Sequence, residues 1–418
     1  MSSFAIPLSG LEASSDALGV ISNNLANLNT DGFKNQTLNF GDIFSQIRGL
    51  SGNGDPVQVG GGVRVENTVS NFSDGGVAST GVSANMALQG NGFFVVSNAN
   101  GTSYTRDGDF SVNSAGQIVD SSGDLVMGFQ ANSSGQIATG GALAPISVNS
   151  TAAIPAQATT SFSTTTNLQA GSAAGTTFST PVAVVDSLGE TQNLTITYTA
   201  GSTPNTWNYT VTLPASATGG TAATTLTSGT MTFDSSGNLT STTPASTGGV
   251  ISGVDITGLA DGSAPMSLSW NLNNASGTPM VTQQDSASAT TATDVNGYTS
   301  GTLTGFSVLA NGTVEGTFSN NQTMALGQVA VANFANPEGL TQGSNGTFQA
   351  SVASGSAVVG EAGVGGNGTI TGGAVEQSNV NLSTEFANMI VAQQSYEANA
   401  KALTTLNQVS QATIQMMT

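Results

Sequence analysis

The residues of this chain that could do chemistry are mostly carboxylates. Their most suggestive grouping is Asp107-Gly108-Asp109, which is followed by Asn113 and Asp120. Oxygen ligands at such intervals superficially resemble a calcium loop, but Val112 stands where an EF-hand loop needs glycine, and no glutamate closes the loop. A polar turn between two strands explains the same residues, and we favour that interpretation over a calcium site.

Other kinds of catalytic site find little support. The chain has no histidine and no cysteine, which excludes Ser-His-Asp and Cys-His catalysis and the common zinc sites. A glycosidase would need two carboxylates facing a cleft with aromatic surfaces for the sugar, and only 2 Trp and 5 Tyr are available. We therefore predict that the protein is not an enzyme and binds neither a metal nor a cofactor.

The charge balance narrows the class of partner. Five Lys and Arg residues against 24 Asp and Glu give a net charge of -19, which would repel a phosphate backbone, so we predict no nucleic-acid partner. No segment reaches the roughly 18 apolar residues of a membrane span, and the N-terminus does not resemble a Sec signal. We predict no membrane insertion, and an extracellular location would require another export route.

The elements that must position any site include a long helix near each end of the chain. At the N-terminus, seven residues, five of them apolar, recur at alternating spacings of four and three, as on one face of a helix with a heptad seam: Phe4, Leu8, Leu11, Ser15, Leu18, Ser22 and Leu25. Pro7 is tolerated in the first turn and Asp31-Gly32 supplies a stop, which predicts a helix over roughly 3–28.

A second long helix is predicted to run to the C-terminus, with Ser383 or Thr384 as its N-cap. Its apolar residues follow similar spacing: Leu382, Phe386, Met389, Tyr396, Leu403 and Leu406. Such a stripe is too long to be buried against a β-domain of ordinary width, so it requires another helix. We expect the two terminal helices to pair, and neighbouring copies to cover what remains exposed.

The middle of the chain predicts β-structure. Short alternating runs at 194–198 and 207–211 are typical of strands, and a Ser-x-Gly-x-aliphatic pattern that indicates hairpin turns recurs at 114–118, 121–125, 133–137 and 235–239. An Ala/Ser/Thr-rich stretch at about 142–180 indicates a boundary. We predict two β-domains of the sandwich or barrel type, and hence an α+β fold that is mainly β.

Several segments resemble one protein family. The opening SGLEASSDALGVISNNLANLNTDGFKN, residues 9–35, is similar to the signature of bacterial flagellar rod, hook and hook-associated subunits. Within that family, 89–96, 104–129, 301–340 and 378–403 resemble the hook branch, the first two of them also distal-rod subunits. Together the similar segments cover roughly half of the chain. Gln394 departs from the family, whose members commonly carry a basic residue there, and 148–293 shows no motif of this kind.

The resemblance implies a nested architecture in which both termini form the innermost layer. We assign 1–30 with 379–418 to an inner helical core whose helices pair in coiled-coil fashion, and 31–70 with 360–378 to a connector. Residues 71–147 with 294–359 would form a middle β-domain. Residues 148–293 would be an outer β-domain inserted into it.

The resemblance also implies a structural role. Hook subunits polymerise into a hollow, flexible tube that transmits torque from rod to filament as a universal joint, and they meet distal-rod, hook-cap and hook–filament junction proteins. They leave the cell through the flagellar type III export apparatus. Phe40 and Phe44 resemble the element that export gates recognise, although packing of the connector onto a neighbour explains them equally well. The alternatives are a distal-rod subunit, which lacks so large an outer insertion, and a secreted adhesin or fibre subunit.

Overall fold

The computed structural model describes residues 2–44, 46–50, 56–149 and 153–417. The fold is mainly β, with a long helix near each end of the chain. It forms two compact units: the first comprises Met1–Ser150, Gly305–Thr317 and Thr323–Thr418, and the second comprises Thr151–Thr304 and Phe318–Gln322. Among the described residues, no helix is both long and apolar enough to span a bilayer.

The helices are α1 Ser2–Ala26, α2 Ala215–Thr218 and α3 Leu382–Met417, with a 3-10 turn at Pro337–Gly339. The strands up to the middle of the chain are β1 Gln36–Asp42, β2 Gln46–Leu50, β3 Pro56–Val59, β4 Val63–Ser70, β5 Val77–Ser79, β6 Met86–Gln89, β7 Phe93–Asn98, β8 Gly101–Thr105, β9 Ser111–Val112, β10 Ile118–Val119, β11 Leu125–Gln130, β12 Ala144–Pro145, β13 Ala153–Ile154, β14 Ser161–Gln169, β15 Thr177–Val185 and β16 Thr191–Ala200. The later strands are β17 Thr206–Leu213, β18 Thr224–Phe233, β19 Leu239–Thr243, β20 Val250–Ile256, β21 Met266–Asn271, β22 Val281–Gln284, β23 Ala289–Val295, β24 Gly301–Val308, β25 Thr313–Phe318, β26 Thr323–Val329, β27 Val331–Asn333, β28 Thr341–Gln342, β29 Thr347–Gln349, β30 Val358–Gly360, β31 Thr369–Gly372 and β32 Ala374–Glu376.

In the first unit, an antiparallel ribbon of β1 and β4 follows α1, and β2 pairs with β3 as a hairpin between them. The side chain of Asn24 near the end of α1 is buried and bonds to both backbone groups of Gln36, which fastens the helix to the ribbon. Beyond the ribbon, β11 pairs with β7, β10, β12 and β26, and β7 also pairs with β8 and β27. This sheet surrounds an apolar core that includes Phe94, Phe110 and Val329.

The second unit consists of two five-stranded sheets that share one core. Strands β15 to β19 form an antiparallel meander, and β20, β21, β14 and β22 form the other sheet with β23 against β14. Alternate side chains of each strand are buried, as in β16, where Leu194, Ile196 and Tyr198 point inwards and threonines point outwards. Both tryptophans of the chain, Trp207 and Trp270, lie in this core. The strands predicted at 194–198 and 207–211 are confirmed as parts of β16 and β17.

The predicted Ser-x-Gly turns share one geometry. In each, the residue before the serine is Asn or Asp, and its carbonyl or carboxylate oxygen accepts backbone N–H bonds from two and four residues ahead, as at Asp120 and Asp234. The glycine has a positive φ, 86° at Gly123 and 81° at Gly237, where a side chain would be strained. Asp120 is therefore a turn residue, and Asp107 likewise accepts a bond from the backbone of Asp109.

The strand pairing of residues 360–378 differs from the pairing expected for a connector segment. Residues 360–378 were expected to accompany 31–70, but β31 pairs with β6 and β32 pairs with β5, so this segment shares sheets with the expected middle domain. Its buried apolar side chains are Ala362, Ile370, Ala374 and Val375, whereas Val364 is 58% exposed. The many glycines around these residues left no clear strand pattern in the sequence. Residues 294–304 and 318–322 also cluster with the second unit and not with the first.

Candidate functional site

The two terminal helices lie side by side and run in opposite directions. Gly10 of α1 faces Asn399 of α3 so closely that a Cβ on Gly10 would lie 2.8 Å from the Asn399 amide. Further along α1, Ala17 and Ile21 line the same cavity as Asn388 of α3, which has a volume of about 250 Å³. Small side chains therefore let the two helices approach each other.

The face of α1 that is most buried is not the predicted one. Its least exposed residues are Pro7, Ala13, Ser14, Ile21 and Asn24, with Gly10 and Ala17 half-buried. The predicted stripe of Leu8, Leu11, Leu18 and Leu25 lies one residue further along, about 100° around the helix. Leu8 is 46% exposed and Phe4 is 38% exposed, whereas Leu11, Leu18 and Leu25 are half-buried. The hydrophobic pattern identified the leucines. It did not identify the glycine, alanine and serine residues of the buried face, because these contribute little to such a pattern.

On α3 the predicted and observed faces overlap in part. Met389, Leu403 and Leu406 are half-buried and share a stripe with the buried residues Glu385 and Ala392. Leu382, Phe386 and Tyr396 are exposed, at 42%, 48% and 37% of their surface. The N-cap is Asn381, whose side-chain oxygen accepts bonds from the backbone N–H groups of Ser383 and Thr384. The predicted caps at Ser383 or Thr384 were therefore wrong by two or three residues.

The two phenylalanines of the ribbon region have different surroundings. Phe40 in β1 is half exposed, and its other side lines the cavity beside Ala17 and Ile21 of α1. Phe44, beyond the end of β1, is 94% exposed. Phe40 therefore has a packing role in the folded chain, whereas Phe44 has almost no contact with the rest of its own molecule.

A group of charges, of which all but Asp74 are buried, ties the ends of the chain to the β-strands of the first unit. We call Lys34, Asp74, Arg106 and Glu376 the charge clamp. The Lys34 Nζ lies 2.6 Å from one carboxylate oxygen of Glu376, and Arg106 lies 3.4 Å from the other and 3.4 Å from Asp74. The side chains of Lys34 and Glu376 are each 1% exposed, and that of Arg106 is 2% exposed.

Hydrogen bonds satisfy most of the remaining polar groups of the clamp. Lys34 also donates to the carbonyl of Ser73, and Arg106 donates to the carbonyls of Leu88 and Gly90. Glu376 in addition accepts from the backbone of Gly75. Burial lowers the pKa of Lys34, and the positive charge of Arg106 lowers it further, while Glu376 acts in the opposite direction. Glu376 thus compensates the charges of the two buried cations.

The clamp was missed in the sequence analysis. Lys34 and Arg106 lie inside segments that resemble the flagellar family, but nothing in their spacing indicates that they meet. The one available indication was that basic residues are rare in this chain, because Lys34 and Arg106 are two of only five. A cation that is rare and sits in a turn-rich apolar segment is a candidate for a buried ion pair.

Acidic residues crowd the neighbouring turn. Gly32 packs against the backbone of Arg106 and Asp107, so closely that a Cβ there would lie 2.4 Å from the Asp107 nitrogen. Burial, together with the charges of Asp109, Asp31 and Asp120, raises the pKa of Asp107 to about 6. Burial also raises the pKa of Asp31. Among the described residues, no group of three or more potential ligands could hold a metal ion.

Comparison with known proteins gives this arrangement its context. Residues 6–34 match the family described as flagella basal body rod protein, 87–167 the flagellar hook protein FlgE/F/G D1 domain, 147–298 the flagellar basal body protein FlaE D2 domain, and 371–416 the flagellar basal body rod FlgEFG protein C-terminal. The flagellar hook protein FlgE of Salmonella typhimurium is 34% identical over 97% of this chain and 98% of its own. This chain belongs to the flagellar hook protein FlgE family.

Other FlgE proteins match over a similar length. That of Escherichia coli is 33% identical over 97% of this chain and 98% of its own, and that of Borreliella burgdorferi is 30% identical over 98% of each. Among solved structures, Helicobacter pylori FlgE2 is 12% identical, with a TM-score of 0.49 over 70% of this chain and 98% of that one. The protein is accordingly a structural subunit of the flagellar hook, in a family of structural proteins and not of enzymes.

The charge clamp generates a stability prediction. Glu376→Ala leaves the buried Lys34 and Arg106 without their shared carboxylate, so we expect the free energy of unfolding to fall by about 3–5 kcal/mol. Circular dichroism during urea unfolding measures the change, and tryptophan fluorescence reports the second unit separately because both tryptophans lie there. Glu66→Ala is the matched control, since its exposed pair with Arg64 contributes only about 0–1 kcal/mol. Equal losses in the two variants would contradict the assignment.

The acidic turn generates a prediction about pH. Because the folded-state pKa of Asp107 lies above its ordinary value of 3.8, the folded protein binds this proton more tightly, and stability falls as pH rises from about 4 to about 6. Asp107→Asn keeps the oxygen that accepts from Asp109 and removes the charge. We expect it to raise the free energy of unfolding at pH 7 by on the order of 1–2 kcal/mol relative to wild type, and to add nothing at pH 4. Urea unfolding at both pH values tests this, with the exposed Asp42→Asn as control; a gain at pH 4 equal to that at pH 7 would contradict it.

Proposed function

We propose that this hook subunit polymerises through its terminal helices into a hollow, flexible tube that transmits torque as a universal joint. The observation that carries the proposal is the apolar surface that a single copy leaves uncovered on α1 and α3. Phe4 and Leu8 on one helix, and Phe386 and Ile390 on the other, are exposed. Isolated helices with such surfaces gain most of their stability from packing against further helices.

The pairing within one chain supports a coiled-coil-like inner core of 1–30 with 379–418. Residues 7, 10, 14, 17, 21 and 24 of α1, and residues 385, 389, 392, 396, 399, 403 and 406 of α3, include the less exposed positions and follow heptad spacing. In this proposal α1 presents its small residues to α3 of the same chain. Its leucine stripe is then available to neighbouring copies.

Residues 148–293 form the outer β-domain in this proposal. The domain has a sandwich arrangement, and 71–147 with 294–359 form the middle domain, apart from 294–304 and 318–322, which cluster with the second unit. Two sheets around one aromatic core support the outer-domain assignment. Because β31 and β32 pair with β6 and β5, most of 360–378 is assigned to the middle domain in place of the connector. The ribbon within 31–70 remains as the connector.

A universal joint must bend in every direction without coming apart. The helical layer supplies contacts of the apolar kind, which persist because separating them exposes hydrocarbon to water. The outer surface is rich in Thr, Ser and Gly and poor in charge, so its contacts between copies are polar and exchange with water at low cost. Inner contacts are therefore expected to hold while outer ones slide.

Assembly requires a route and end partners. We propose export through the flagellar type III apparatus, an extracellular location at the hook, and contacts with distal-rod, hook-cap and hook–filament junction proteins. Phe40 and Phe44 are proposed as export-recognition residues. The near-total exposure of Phe44 equally suits a contact with a neighbouring copy. The full-length match to FlgE proteins favours the hook over the distal rod and sets the adhesin alternative aside.

Electron microscopy of sheared, purified flagellar bases tests the proposal. An antibody against residues 148–293 should label a short curved segment between rod and filament, because the outer domain lies on the surface of the tube. Bases from a strain that lacks this protein are the control and should show neither label nor the segment. Label confined to a straight rod would support the distal-rod alternative, and label elsewhere on the cell surface would contradict assembly into the flagellum.

A further inference from the structure

The charges on the terminal helices are few and unevenly placed. Glu12 and Asp16 are the only ionisable side chains of α1, and Lys401 is the only basic one of α3. All three are exposed. The ion pairs found in the described part of the chain join Lys34, Arg64 and Arg106 to carboxylates, and none of them uses Lys401.

The helix geometry keeps these charges apart within one chain. Gly10 and Ser14 of α1 face α3, and a residue two positions away points to the opposite side of a helix. Glu12 lies two positions from each of them and therefore points away from α3. Lys401 likewise lies two positions from Asn399, which meets Gly10, and points away from α1. Glu12 and Lys401 therefore lie on opposite outer faces of the helix pair, and Glu397 shares the face of Lys401.

A second copy can bring these faces together. Because Gly10 is level with Asn399 and the helices are antiparallel, Glu12 and Lys401 differ by about 6 Å along the helix axis. A neighbour that places the outer face of its α3 against the outer face of α1, displaced by about that distance, joins the two charges. Such a contact uses different surfaces on the two copies, so it repeats from one subunit to the next.

An exposed apolar side chain lies beside Glu12, and another lies further along the Lys401 side of α3. Leu8 lies one turn before Glu12 and is 46% exposed, whereas Ile390, which is 55% exposed, lies eleven residues and about 16 Å from Lys401 along the helix. Burying Leu8 in the same contact would exclude water beside Glu12, and an ion pair is stronger where water is excluded. The contact therefore combines charge complementarity with apolar area from α1.

We propose that Lys401 of one subunit forms an ion pair with Glu12 of an adjacent copy of this chain, with Asp16 adding to the acidic face. The inference rests on the proposed polymerisation and specifies one contact within it. The competing arrangement is a pair between Lys401 and Glu397 on the same helix, four residues apart in the favourable order. That arrangement leaves Glu12 and Asp16 without a cation.

A charge-swap experiment on the purified full-length protein tests the contact, with sedimentation and electron microscopy measuring the concentration needed for tube formation. Lys401→Glu and Glu12→Lys should each raise this concentration about tenfold or more, because each places like charges together. The double variant should return to within about threefold of wild type. Raising the salt concentration should weaken assembly of wild type more than assembly of a Lys401→Gln, Glu12→Gln variant.

The controls separate the possible outcomes. Circular dichroism of each monomer should match wild type, because all of the altered residues are exposed. If Glu397→Lys rescues Lys401→Glu and Glu12→Lys does not, the pair lies within one helix and the inference is overturned. Lys401→Glu that assembles like wild type would also overturn it. Wild-type protein that stays monomeric at every salt and protein concentration would overturn the proposed polymerisation, and this contact with it.

Discussion

The first β-unit depends on one buried carboxylate. Glu376 joins Lys34, which follows α1, to Arg106 in the turn after β8, and it lies shortly before α3. Both chain ends therefore meet the β-strands of the first unit at one group of charges, in addition to the neutral hydrogen bonds of Asn24 and Asn379. Burying three charges costs desolvation free energy that their attraction must offset, and the hydrogen bonds from Lys34, Arg106 and Gly75 provide the remaining compensation. The clamp sets where the two helices leave the β-unit and start side by side.

The helix pair that begins there is incomplete in one copy. Small residues of α1 meet α3, while the leucines and phenylalanines that dominate the hydrophobic pattern stay partly or largely exposed. A chain that uses its strongest apolar residues on the outside of its helices is suited to association with copies of itself. The second unit differs, because its large apolar side chains Trp207, Trp270 and Tyr198 are fully buried, while many threonines of its strands face outwards. Persistent and exchangeable contacts between subunits can therefore reside in different parts of one polypeptide.

The sequence by itself determined the elements and their class. Heptad spacing placed both terminal helices, period-two alternation placed strands such as β16 and β17, and Asn or Asp before Ser-x-Gly placed the turns, because each of these signals depends only on neighbouring residues. Motifs such as the segment from Ser9 to Asn35 pointed to the flagellar family, which the comparisons confirm.

Only the tertiary structure decided which surfaces meet. The burial of Ala13 and Ser14 in place of Leu11 and Leu18 depends on how closely two helix backbones approach, and a hydrophobicity pattern does not record that distance. The pairing of β31 and β32 with β6 and β5 joins residues nearly 300 positions apart. The clamp joins Lys34 to Glu376 over 342 positions. Such contacts depend on the folded positions of distant segments, and no local pattern in the chain encodes them.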